Sequence, residues 1–163
     1  MHAAAAQQLL DRLAGRASAT VKILDVGSGS GYLTAVLALS VPFSFTLGID
    51  VIPELVAWSK KNFGKDAVTR KLLESGRVML RPGDGWRGVP EAGPFDLIHV
   101  GAAAEEVPAA LVEQLALGGR MVCPVGIWRQ QLVQIDKAFD GKLTRTDLMA
   151  VVYVPLVAAP KEV

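Results

Sequence analysis

The chain has 163 residues, 51% of them hydrophobic, with 17 basic against 16 acidic residues and a formal charge of +1. That is long enough for one well-formed core and short for two, and the balanced charge excludes the electrostatic footprint of a nucleic-acid or anionic-membrane binder. Its single cysteine, Cys123, excludes an internal disulfide, and no Cys/His cluster has the spacing of a metal site. A small, nearly neutral ligand or a peptide remains as the partner. The start, MHAAAAQQLL, lacks a basic leader, and no stretch of eighteen apolar residues follows. A soluble, untargeted, monomeric chain in the cytoplasm is expected, with no membrane and no nucleic acid among its partners.

Taken in chain order, residues 3–14 place Ala6, Leu9, Leu10 and Leu13 at helical spacing and stop at Gly15. VKILDVG (21–27) is a nearly continuous apolar run, as a strand covered on both faces requires. A helix follows from Gly31 to Ser40 with Leu33, Val36 and Leu37 inward, then a second strand, FSFTLGID (43–50), and Pro53 as the first residue of the next helix. The segment 60–77 carries six basic and two acidic residues and reads as a solvated helix-and-loop face. RVMLRPGDG (77–85) and FDLIHVGAA (95–103) read as the third and fourth strands. Pro108 opens a helix that buries Leu111, Val112 and Leu115, and LGGR (117–120) turns it into a fifth strand, RMVCPVG. Two further strand-like runs flank Asp140-Gly141, a strong hairpin signal. The expected fold is α/β: a mostly parallel, seven-stranded sheet with an antiparallel C-terminal hairpin and helices on both faces, in a single domain over 1–163.

The turn DVGSGSG (25–31) joins the first strand to a helix, and such a turn aims backbone N–H groups and a helix N-terminus at a ligand. A phosphate-binding loop is excluded because no Gly-Lys-Ser/Thr ends it. A dinucleotide turn would read G-x-G-x-x-G, whereas Gly27, Gly29 and Gly31 give G-x-G-x-G with no basic residue. Asp25, just before the glycines, would repel a pyrophosphate and suits an ammonium group. Asp50 ends the second strand, where an acid accepts both hydroxyls of a ribose, and Asp84 after the third strand can accept from an adenine amine. Ammonium, ribose and adenine together describe S-adenosylmethionine, a cofactor without phosphate.

DVGSGSGYLTA, GIDVIPELV, SGRVMLRPGDG, FDLIHVGAAAEEVPAALVEQLALGGRMVCPVG and LMAVVYVPL resemble, in order, the motifs of the protein-L-isoaspartate (D-aspartate) O-methyltransferase family over residues 1–156. The resemblance implies a class I S-adenosylmethionine-dependent methyltransferase fold (Rossmann-like). It also implies methyl transfer to the free carboxyl of isoaspartyl residues in damaged proteins and peptides, a protein-repair activity with S-adenosylhomocysteine as product. A carboxylate is already ionised near neutral pH and needs no general base, which agrees with a chain that shows no nucleophile–base pair. By position, the resemblance assigns cofactor contacts to His2, Ser28, Asp50, Val51, Asp84 and Gly85; Asp25, Gly27 and Gly29 belong to the same turn. His99 has two readings, a strand histidine satisfied by its neighbours or a residue near the reacting carboxylate. Cys123 reads as core, and Trp86 as packing or an adenine contact.

Two departures qualify the resemblance. The chain starts at Met1-His2-Ala3, after the Ser-Ala-Pro-His-like stretch that carries the family's catalytic serine, so a domain truncated at its N-terminus is expected. After YVPL, the family's Thr and Gln are replaced by Val157-Ala-Ala-Pro. A non-catalytic cofactor-binding module, or a catalytically impaired fragment, is the alternative.

Overall fold

Each apolar run expected as a strand is taken up in one sheet, in a computed structural model that describes residues 2–13 and 20–159. The strands are β1 (Lys22–Val26), β2 (Phe45–Asp50), β3 (Val78–Pro82), β4 (Phe95–Val100), β5 (Leu115–Val125), β6 (Gln130–Lys137) and β7 (Leu143–Val151). Their spatial order is β3-β2-β1-β4-β5-β6-β7. The five strands from β3 to β5 are mutually parallel, and β5/β6 and β6/β7 pair antiparallel. From β1 the chain winds outward through β2 to β3, then crosses back to lay β4 on the other side of β1. The crevice at the C-terminal ends of β1 and β4 is therefore the topological switch point, where open α/β sheets bind ligands.

The helices are α1 (His2–Leu10), α2 (Tyr32–Ser40), α3 (Pro53–Phe63), α4 (Ala67–Glu74) and α5 (Ala109–Glu113). Alternation along the strands sorts the core into two faces. Ile23, Leu97, Val122 and Leu132 meet Ala5, Ala6 and Leu9 of α1 and Leu33 and Leu37 of α2. Val78 and Leu80 continue that face under Ala38, Val56, Phe63 and Leu72. On the other face, Leu24, Ile49, Ile98, Met121 and Cys123 pack with Leu111 of α5 and with Trp86. Burial pushes the Cys123 thiol up to about 12. Asp66 caps α4, its Oδ1 accepting from the Val68 and Thr69 N–H groups, and this charged region faces solvent along much of its length.

Two elements differ from the sequence expectation. The first helix ends at Leu10 and tightens into a 3-10 turn over Asp11–Leu13, while Gly15, its expected stop, lies outside the described residues. The helix after Pro108 closes at Glu113, because the carbonyl of Gln114 accepts the Phe95 N–H at 2.8 Å and draws the next residue into the sheet. Leu115 is buried as expected, but as a strand residue opposite Phe95.

Candidate functional site

The glycine turn is built by leaning on β2. The N–H groups of Gly27 and Ser28 both donate to the Ile49 carbonyl, at 2.8 and 3.0 Å, and the Gly31 N–H returns to the Ser28 carbonyl at 2.8 Å. Gly27 and Gly29 take φ values of 73° and 52°, a left-handed backbone that favours glycine. A Cβ on Gly29 would have no neighbour nearer than 4.0 Å, so the turn presents bare backbone to an open space.

That space is a cavity of about 470 Å³ lined by Val26, Gly27, Gly29, Asp50, Val51, Ile52, Leu55, Gly83, Gly85, Gly101, Ala102 and residues 154–157. Its volume falls within the range of small-molecule sites. Among the described residues, Asp50 is the one charged side chain in the lining. Its carboxylate is fixed by two backbone donors, Gly29 N–H to Oδ2 and Ile52 N–H to Oδ1, both at 3.0 Å. One further acceptor position remains on each oxygen. The far wall comes from the chain's last described segment. Ala103 N–H donates to the Val154 carbonyl and Leu156 N–H to the Ala103 carbonyl, both at 2.8 Å, while the Trp86 indole N–H donates to the Leu156 carbonyl at 3.0 Å.

Of the residues singled out from sequence, this cavity gathers Gly27, Gly29, Asp50, Val51 and Gly85. Asp25, Ser28 and His99 border a second, smaller cavity of about 170 Å³, which shares Gly27, Gly29 and Gly101 with the first. Asp25 is 1% exposed and is already engaged: Thr34 Oγ1 donates to Oδ2 at 2.5 Å, and His99 Nδ1 lies 2.8 Å from Oδ1. Asp84 borders neither cavity. Its Oδ1 accepts the Trp86 N–H at 2.9 Å, and its carbonyl accepts from Arg87 and Gly88. The side chain of His2 lies outside the described residues. Sequence reasoning missed Gly101, Ile52, Leu55, Gly83 and the walls supplied by 154–157. They lie in or beside the stretches GIDVIPELV, SGRVMLRPGDG, FDLIHVGAAA and VVYVPL, but no motif says that Pro155 pairs with Ala103.

The lining is suited to a nucleoside that carries no phosphate. It offers a fixed carboxylate for vicinal hydroxyls, apolar side chains for the faces of a base, and glycines where a ligand approaches the backbone. Among the described residues, no lysine or arginine lines it to bind a phosphate.

The family model for protein-L-isoaspartate(D-aspartate) O-methyltransferase matches residues 1–161. A protein-L-isoaspartate O-methyltransferase of Triticum aestivum is 46% identical over 157 residues, covering 96% of this chain and 66% of that protein. One from Caenorhabditis elegans is 45% identical over 165 residues, covering 99% of this chain and 70% of that one. Across the plant relatives matched, the chain spans from about half to two thirds of their length. Among solved structures, a Plasmodium falciparum chain described as a protein-L-isoaspartate O-methyltransferase, crystallised with S-adenosyl-L-homocysteine, superposes with a TM-score of 0.83. It is 30% identical, and the match covers 96% of this chain and 73% of that one.

Proposed function

The chain belongs to the protein-L-isoaspartate(D-aspartate) O-methyltransferase family, and on that premise we propose that it transfers a methyl group from S-adenosylmethionine to the free carboxylate of isoaspartyl residues in damaged proteins and peptides. The single observation that carries the reading is Asp50, the one charged side chain of the main cavity among the described residues, locked by two N–H donors at the end of β2. In this reading Asp50 accepts the ribose hydroxyls, while Ile52, Leu55 and Leu156 flank the adenine. Gly27 and Gly101 leave room where β1 and β4 end. When bound, the cofactor supplies an electrophilic methyl group on a positively charged sulfur.

The acceptor carboxylate is ionised near neutral pH, so the protein need not remove a proton. Its task is to align two reactants and to exclude competing water. Gly101, Ala102 and Ala103 carry little side-chain bulk at the end of β4 and leave space for a peptide main chain. The lone buried cysteine fits a reducing cytoplasmic compartment.

Calorimetric titration with S-adenosylhomocysteine, together with transfer of a labelled methyl group to an isoaspartyl peptide and to its normal aspartyl counterpart, tests the reading. Binding of the cofactor product and labelling of the isoaspartyl peptide alone are expected. A folded chain that neither binds nor labels either peptide removes it.

A further inference from the structure

The hairpin between β5 and β6 carries at its tip a tryptophan that the fold leaves uncovered. Trp128 is 95% exposed, and Ile127 beside it is 61% exposed. An indole that buries almost no surface in its own chain forgoes the area through which large aromatics stabilise a fold. The tip is nonetheless firmly built. The Gly126 N–H donates to the Ala104 carbonyl at 2.8 Å and the Ala104 N–H to the Pro124 carbonyl at 3.0 Å, so the hairpin is tied to the strip that leaves β4. Gly126 takes a φ of 123°, and a Cβ on it would collide with the Arg129 carbonyl, so the turn closes in this form only with glycine there. Behind the tip, the Gln130 amide donates to the Tyr153 carbonyl at 3.0 Å and accepts the Tyr153 N–H at 2.6 Å. That clamp fixes the hairpin beside a segment whose Val152 and Val154 are also more than half exposed.

Because β5 runs parallel to β4, and β4 to β1, the tip stands at the same edge of the sheet as the glycine turn and the end of β4. Its apolar surface is continuous with the main cavity. Val154 and Val157, both more than half exposed, line that cavity, and the strip after β4 joins the two sides, Ala103 bridging to Pro155 and Ala104 to Val125. We propose that Trp128, with Ile127, is a specificity-determining residue for the acceptor: it receives an apolar or aromatic side chain that flanks the isoaspartyl residue along the peptide. The inference rests on the proposed methyl transfer, in which the acceptor main chain passes Gly101 and Ala102. From Gly101 to Ala104 an extended chain advances about 10 Å, so the side chain that meets Trp128 lies about three residues from the methylated one. A platform already in place leaves the peptide only its own ordering cost, and an exposed indole is the kind of side chain that gains most when a partner covers it. The contact is remote from the reacting atoms, so it acts on peptide binding and leaves the chemical step alone.

Methylation of a set of isoaspartyl peptides tests this, the peptides differing only in whether leucine, phenylalanine or serine occupies a given position on either side of the isoaspartyl residue. The unsubstituted chain is expected to favour leucine or phenylalanine over serine at a position about three residues away, by roughly threefold to tenfold in kcat/KM, through KM with kcat unchanged. Trp128→Ser, at a side chain that the fold does not cover, is expected to abolish that preference. It should leave the rate on the serine peptides and the affinity for S-adenosylhomocysteine as they were. Calorimetry of the same peptides on the S-adenosylhomocysteine-loaded chain reads the preference without turnover. Indifference to the flanking side chains, or a preference that survives Trp128→Ser, overturns the proposal and leaves the functional reading standing. A chain that self-associates in sedimentation and comes apart in Trp128→Ser would show that a second copy covers the tip, which also overturns it. A folded, unsubstituted chain that neither methylates nor binds any of the peptides refutes the functional reading itself, and the proposal with it.

Discussion

Asp50 illustrates how a single side chain becomes useful by being immobilised. Each of its oxygens accepts one backbone N–H, from Gly29 and Ile52, so the carboxylate meets a ligand in one orientation and pays no ordering cost on binding. Asp50→Ala removes the acceptor and leaves two donors unsatisfied. S-adenosylhomocysteine affinity is expected to fall by roughly tenfold to a hundredfold, in keeping with the loss of charge-assisted hydrogen bonds. Isothermal titration measures it, and an unaltered dissociation constant would show that Asp50 does not hold the ligand. The place of Asp50 in the cavity was legible in the sequence because it depends on local order, an acid closing a strand after a glycine turn. The partners of Asp25 were not legible. Its reading as a free acid for an ammonium group depended on the turn alone, whereas His99 lies 74 positions away and reaches it only once β4 is laid beside β1.

At the level of elements, a part-buried ion pair spans the place where the sheet changes from parallel to antiparallel. Arg120 of β5 grips Asp136 of β6 with Nε at 2.7 Å and Nη2 at 3.0 Å, and its Nη1 donates to the Gln8 carbonyl of α1. Burial acts to raise the Asp136 value, but the Arg120 hydrogen bonds and charge, helped by Gln134 and Arg12, outweigh it and hold the carboxyl below its ordinary 3.8. A carboxyl lowered in the folded state stabilises the fold above its unfolded value, and that contribution is lost as pH falls through the folded value. Asp136→Asn should therefore cost about 1–2 kcal/mol at pH 7, as for a part-buried charged pair. The gap should close as the pH drops below 3.8. Urea denaturation of both proteins at the two pH values measures this, and a difference that persists in acid would mean that the charge is not responsible. The pairing residues were individually visible in the sequence, but the bulged entry of β5 was not. The helix after Pro108 stops where Gln114 satisfies Phe95, and a hydrophobic residue at position 115 suits a helix face and a buried strand equally well.

Across the whole molecule, the strand order and the two-sided core follow from patterns that span the chain. Continuous apolar runs mark strands buried on both faces, and turn residues separate them. Cys123 lies in the centre of this core with its thiol pushed up to about 12, and thiolate is the reactive form. Native protein should resist alkylation by iodoacetamide, whereas protein in strong denaturant should label at once, so mass-spectrometric labelling against denaturant reports global opening. Rapid labelling without denaturant would contradict the burial. What the patterns could not convey is how distant segments close on the cavity, because Ala103 meets Pro155 through an isolated bridge and Trp86 meets Leu156 through one hydrogen bond, neither with a periodic signature.

That last arrangement gives the cavity a place in time as well as in space. Its glycine turn and its acid lie within residues 25–50, but its far wall is residues 154–157, which follow every strand of the sheet. During synthesis the wall is the last of the cavity's lining segments to emerge and can dock only after β4 has formed to receive it. A nascent chain that has not yet supplied this segment has no finished pocket to fill, and occupancy by a ligand marks a molecule in which the wall has docked on the sheet.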